Sequence, residues 1–145
     1  MSVWTAPVTA GGTKPVITAK PSSAADVGIQ VLEYSGLSTA TGAAAIDQVA
    51  HATGTTGSAG TVQSGATAAT TASGELAIGF YVDSGFGDSL TAGTGFTKRA
   101  SVSPTGDIEF LAEDQPVGLG ATPDATVGTG AGTTWLMATL VFRHA

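Results

Sequence analysis

The stretch "TKRASVSPTGDIEFLAED", residues 97–114, constrains the fold more than any other in the chain. Two alternating runs are joined by Pro104, Thr105 and Gly106. Proline presets φ for a turn and glycine takes a left-handed position at no steric cost, so this is hairpin chemistry. Closing the turn with Ser103 opposite Asp107 pairs Val102 with Ile108, Ala100 with Phe110 and Lys98 with Ala112. Those six share one face, apolar except at its Lys98 end. The other face carries Ser101, Glu109, Arg99, Leu111, Thr97 and Glu113, with Arg99 diagonal to the two glutamates. A one-residue slip would mix the faces, so the register is well specified.

Other segments alternate in the same way. In "ELAIGFYVD" (75–83), Leu76, Ile78, Phe80 and Val82 point one way and Ala77, Gly79, Tyr81 and Asp83 the other, which reads as a strand with Tyr81 outward. "KPVITAK" (14–20) and "GIQVLEYSG" (28–36) read as strands, the second with Gln30, Leu32 and Tyr34 on one face. "TTWLMATLVFR" (133–143) is apolar on both faces, as in a central strand covered on both sides or one with a face given to a partner. "TVQSGATAATT" (61–71) reads as an edge strand entering a turn, and residues 115–132 as a long connection. "GAAAIDQVAHATG" (42–54) has helical composition with Thr41 as a cap, and is the one helix candidate. Some seven strands with frequent turn signals define an all-β chain, an antiparallel β-sandwich of jelly-roll or Ig-like type with little or no helix. Residues 1–13, broken by Pro7, Gly11 and Gly12, read as an N-terminal arm, and residues 14–145 as a single sandwich domain.

Composition narrows the function classes. The chain has no cysteine, which excludes disulfides, thiolate metal sites and a cysteine nucleophile. Charged residues are 11% of the chain, less than half the usual share, and the net charge is −6. Five scattered cations cannot neutralise a run of phosphates, so nucleic acid is not an expected partner. No apolar run approaches the roughly 20 residues of a membrane span, and the first residues lack the pattern of a signal peptide. Ala, Thr, Gly and Ser make up 81 of the 145 residues, a composition suited to an exposed, protease-resistant β protein.

The loop "DSGFGDS" (83–89) is the first candidate site. Asp83 and Asp88 offer oxygens to calcium, and Tyr81 and Phe86 offer rings to a sugar. The spacing lacks the alternating carboxylates of an EF-hand loop, so the loop is expected to turn rather than bind. Glu33, Glu75, Asp107 and Glu109 could form the facing pair of a glycosidase, yet nothing in the sequence selects two of them. His51 and His144 stand alone, without zinc-ligand spacing. No serine-nucleophile motif is present. The chain is therefore expected to be no enzyme, with no metal and no cofactor.

Four segments, "VLEYSGL", "SGELAIGFYVDSG", "TAGTGFTKR" and "WLMATLVFR", resemble a recurring β-sandwich module. That module occurs in large secreted proteins of actinobacteria and other bacteria, and in minor tail or other surface proteins of their phages. The resemblance covers roughly residues 12–143 and implies structural motifs, not catalytic residues. In the module further strands precede the segment similar to residues 6–20, which implies either the C-terminal part of a larger unit or sheet positions filled by another copy or partner. The expected function is a non-enzymatic structural and interaction protein, a phage virion surface component such as a capsid decoration or tail protein. It would be made in the host cytosol and would form a homo-oligomer or bind larger virion subunits. Trp4, Trp135, Met137 and Val141 are the expected interface residues. The alternatives are a carbohydrate-binding module of an extracellular protein that holds a surface glycan, and a calcium-dependent adhesion domain.

Overall fold

The computed structural model describes residues 1–8, 11–12, 14–25, 27–85, 87–105, 107–129 and 132–145. Eight strands follow a 3₁₀ turn at Gly42–Ala45: β1 Ile46–Thr55, β2 Gly60–Gln63, β3 Glu75–Asp83, β4 Thr91–Ala92, β5 Thr97–Val102, β6 Glu109–Val117, β7 Thr126–Thr129 and β8 Thr134–Phe142. They form two antiparallel sheets, ordered β1-β8-β3-β6-β5 and β2-β7-β4. The chain is an all-β sandwich. The alternation of β1-β8-β3-β6 with β2-β7-β4 is the winding of a jelly roll. Its departure is β5, which joins β6 at the edge of the larger sheet instead of pairing with β4.

The one helix candidate, residues 42–54, forms a single 3₁₀ turn and the first strand, in keeping with a chain of little or no helix. Alanine favours a helix locally, but Ala50, Ala52 and Gly54 are wanted here for their size. They stand opposite Thr139, Met137 and Trp135 of β8, and a Cβ on Gly54 would meet the Trp135 indole at 2.9 Å. Tertiary packing overrides propensity.

The hairpin forms, with its partners two residues away from those expected. Val102 stands opposite Phe110, not Ile108, and Ala100 opposite Ala112. From Ala100 to Val102 the two-residue shift preserves the faces while the turn lengthens, and a bulge between Lys98 and Ala100 then puts Lys98 opposite Glu113. Ser103 closes the longer loop, its Oγ lying within hydrogen-bond distance of both Asp88 O and Glu109 Oε1 and sharing one proton with them. Gly106 lies outside the described residues.

The faces themselves are inverted relative to expectation. The inter-sheet core holds Tyr81, Leu111 and Met137 from the large sheet against Val62, Leu90, Ala125 and Val127 from the small one. A second cluster joins Ala77, Val117 and Val141, and Phe96 packs against both. The more apolar side of β3, with Ile78 and Phe80, faces away from the small sheet, together with Phe110 of β6 and Leu136 of β8. The large sheet therefore has two apolar faces, and the N-terminal chain runs over the outer one. Gly28 lies on Phe110 so closely that a Cβ would reach 2.5 Å from the ring. Tyr34 bonds Asp114. Leu37 bridges His144, Ser38 N donates to Arg143 O at 2.8 Å, and Ala145 N donates to Gly36 O at 3.0 Å.

Threonine and serine join the layers. Thr139, wholly buried in β8, shares a 2.6 Å hydrogen bond with Ser64 and accepts from Ala125 N at 3.0 Å. Thr70 Oγ1 donates to Gly118 O and accepts from Ala121 N. Residues 64–70 continue β2 by amide bonds every third residue, from Ser64, Thr67 and Thr70 to the carbonyls of Ala125, Pro123 and Ala121. Small hydroxyls fill the thin core and satisfy backbone groups that larger apolar residues would leave unpaired.

Candidate functional site

The loop after β3 is built around Asp83. Its side chain is buried, and both oxygens are occupied by the chain itself. Tyr81 Oη donates to Oδ2 at 2.6 Å and the Gly85 amide donates to Oδ1 at 2.9 Å. Asp88 enters through its backbone, its amide donating to Glu109 Oε1 at 2.6 Å. The two aspartates are thus fixed by different partners. The expected outward Tyr81 is corrected: it is 1% exposed, at the centre of the core, because the small residues of β3 face inward. Phe86 lies outside the described residues. Among the described residues there is no group of three or more His, Asp or Glu able to hold a metal ion.

Buried carboxylates are the feature that sequence reasoning missed. Glu75, Asp83, Glu109, Glu113 and Asp114 are each less than 5% exposed. Alternation placed Glu109 and Glu113 on the polar side of the hairpin, and that side turned out to be the core. Glu113 Oε2 accepts from Gly93 N at 2.7 Å. Burial pushes its carboxyl up to about 7, against the smaller opposing pull of the Gly93 and Thr126 amides. Arg99 is not diagonal to the glutamates, since a bulge between Lys98 and Ala100 sends it to Asp114 at 2.7 Å.

At the far end of the sandwich, Asp47 Oδ1 sits 3.0 Å from Arg143 and accepts from the Thr71 hydroxyl, while Oδ2 accepts from the Thr71 amide. Burial acts to raise the Asp47 carboxyl, but these donors and Arg143 together hold it below the usual range. Glu75 beside it is pushed up, first by burial and then by the Asp47 charge. Asp47 thereby braces the turn at residues 71–74 to β1 and, through Arg143, to the C-terminus. Glu33 and Asp107 are exposed and belong to neither group.

Two expected interface residues are corrected. Met137 and Val141 are 1% and 0% exposed and belong to the inter-sheet core. Trp135 packs against the same core over Gly54. The apolar surface left free is elsewhere. Of the twelve exposed large hydrophobic residues among the described ones, eight precede residue 32: Met1, Trp4, Val8, Val16, Ile17, Val27, Ile29 and Val31. Trp4 and Val16 are each 90% exposed.

This surface has a regular origin. Residues 27–34 are extended, with Gln30, Leu32 and Tyr34 turned to the domain and Val27, Ile29 and Val31 to solvent. The arm shows the same alternation: Val3, Thr5 and Pro7 are half-buried, while Trp4, Ala6 and Val8 are exposed. Gly42 N donates to Thr5 Oγ1 at 3.1 Å, so the arm is tied to its own domain as well as available to another. Strands expected at 14–20 and 28–36 form no ladder among the described residues.

Comparison with protein-family models, with curated proteins and with solved structures gives no match for this chain.

Proposed function

We propose that the protein is a non-enzymatic structural subunit that binds neighbouring subunits through its N-terminal chain, as a component of a phage virion surface, either a capsid decoration or a tail protein. The observation that carries this is the concentration of exposed apolar side chains in the first 31 residues, on backbone that has no strand partner among the described residues. A soluble monomer rarely leaves so much apolar surface uncovered, and such patches mark interaction sites. Trp4 is the natural anchor, since tryptophan in a desolvated pocket dominates many interfaces. The sandwich behind it is a rigid platform, held by the buried hydroxyl and carboxylate bonds described above. Its resemblance to modules of phage surface proteins supports a virion location.

The test is physical association with particles. Antibody against the folded protein should label the outside of virions in electron micrographs, and the protein should sediment with them in a density gradient. A protein that stays in the soluble fraction and is monomeric at high concentration by light scattering would refute the reading.

A further inference from the structure

We propose that residues 14–20 of one copy add as a strand to the free edge of β1 in a second copy, a contact that rests on the subunit-binding reading above and names its partner and site. The large sheet has two edges, and they are not alike. β5 is six residues long, carries Lys98 and Arg99, and is bulged between Lys98 and Ala100. Charge and bulges are the devices by which sheets refuse a further strand. β1 is ten residues long, "IDQVAHATGT", with no lysine, arginine or proline. Its only charged residue, Asp47, is engaged by Thr71 and Arg143, and its one irregularity lies at the start, between Ile46 and Gln48. Past Ile46, β1 has no backbone ladder among the described residues except that to β8. From Gln48 to Thr55 it is an unguarded template.

The same chain carries a segment of strand-forming sequence without a sheet. "KPVITAK" is rich in β-branched residues, forms neither helix nor turn, and is exposed at every position from 14 to 20. No backbone hydrogen bond joins it to another described residue. Residues 27–34 share its composition but are already held on the outer face by Tyr34 and by the contact of Gly28 with Phe110, so they are not free to leave. Residues 14–20 also carry what β1 lacks. Once added, they would become the new edge, and Pro15 with Lys14 and Lys20 would guard it against a further strand. Augmentation would then stop after one step. Because each copy offers one strand and one edge, the contact is either reciprocal, giving a two-fold dimer, or head-to-tail, giving a ring where the rotation closes.

The experiment uses the full-length chain. Amide N–H groups alternate in direction along a strand, so of Ile17→Pro and Thr18→Pro one removes a donor that faces β1 and the other does not. One of the two should reduce the mass seen by light scattering to the 14.1 kDa of a single chain, and the other should change it less. Val49→Lys, on exposed β1, should do the same by charging the edge, with the thermal transition confirming that it folds. A mixture of the disruptive proline variant and Val49→Lys should recover a two-chain species, since one keeps the edge and the other the strand. If both proline variants assemble like the unaltered chain, strand addition is refuted while particle binding stands. If the unaltered chain is monomeric, strand addition is refuted, and gradient sedimentation with virions decides the parent reading separately.

Discussion

Tyr34 donates its hydroxyl to Asp114 Oδ2 at 2.9 Å, across eighty positions of sequence, and Arg99 Nε donates to the same oxygen at 2.7 Å. This small network pins the N-terminal chain to the outer face of the large sheet. Asp114 is 1% exposed, so the bond lies at the base of the cleft that residues 34–37 form with Arg99 and Pro116. It also explains the "EYSG" stretch: Tyr34 is the pin, and Gly36, at φ 77°, makes the turn that leads into the bridge from Leu37 to His144.

Tyr34→Phe should cost about 1.5–3 kcal/mol, the usual worth of a hydrogen bond to a charged partner. Amide exchange should rise over residues 28–37 and not in β3 or β8. Burial, followed by the hydrogen bond and the charge of Asp114, raises the Tyr34 hydroxyl above its ordinary value. The fold therefore favours the neutral phenol. Its contribution is complete below about pH 10, where the unfolded chain also keeps the proton, and is lost as pH climbs beyond. Denaturation curves from pH 8 to 11 should fall less steeply in Tyr34→Phe.

Glu113 gives the opposite end of the pH scale. Its carboxyl titrates near 7 in the fold and near 4.5 when unfolded. Protonation is thus favoured by folding, and the contribution is complete below pH 4.5 and lost between there and pH 7. The shift is worth on the order of 3 kcal/mol. Glu113→Gln should flatten the decline measured by urea denaturation between pH 5 and pH 8. Some slope should persist, because the Glu75 carboxyl is raised as well.

Gly79→Ala tests the spacing of the two sheets. A Cβ there would stand 2.6 Å from Ala125 Cβ and 2.9 Å from Glu113 Cγ. Neither neighbour is the end of a flexible chain, so the small sheet must move. A loss of about 1–3 kcal/mol is expected from overpacking, read as a lower denaturation midpoint with unchanged slope.

Asp83→Asn separates a structural loop from a calcium site. The sequence suggested turn chemistry, for which the substitution would be silent. The buried bonds from Tyr81 and Gly85 make it costly instead, by about 1–3 kcal/mol. The loss should be the same with millimolar calcium and with chelator. A melting temperature that rises with calcium only in the unaltered chain would restore the adhesion reading.

Alternation made the strands of residues 75–83, 97–114 and 133–143 legible, along with the two-sided apolarity of β8. It could not say which side was the core. In β3 the larger side chains, Leu76, Ile78 and Phe80, face out because the chain supplies its own cover for that side, residues 1–8 and 27–37. Nothing local announces a cover that lies far away in sequence. The carboxylates were misplaced for the same reason. Glu109 and Glu113 look solvated until Asp88, Gly93 and Ser103 arrive from other segments to bond them. Trp4 was legible as an exposed side chain because its surroundings are breakers, while the burial of Trp135 and Met137 between the sheets was not legible, because inter-sheet burial and partner burial look alike in sequence.

Trp4→Ser isolates the interaction surface from the fold. Trp4 is 90% exposed, and its neighbours Val3 and Thr5 make the contacts that hold the arm to its own domain. Removing the indole therefore takes little from the monomer, and the denaturation midpoint should move by no more than about 0.5 kcal/mol equivalent. If the arm docks on a neighbouring subunit, the same change should weaken association by about tenfold or more, since a buried tryptophan anchor is commonly worth 2 kcal/mol or above. Dilution followed by light scattering measures the midpoint of assembly, and gradient sedimentation measures retention on particles. Val8→Ser, exposed on the same side of the arm, should show a smaller loss in both. An unchanged assembly midpoint and unchanged particle retention in Trp4→Ser would remove the arm from the interface. The exposed side chains of residues 16–31 would then have to carry it.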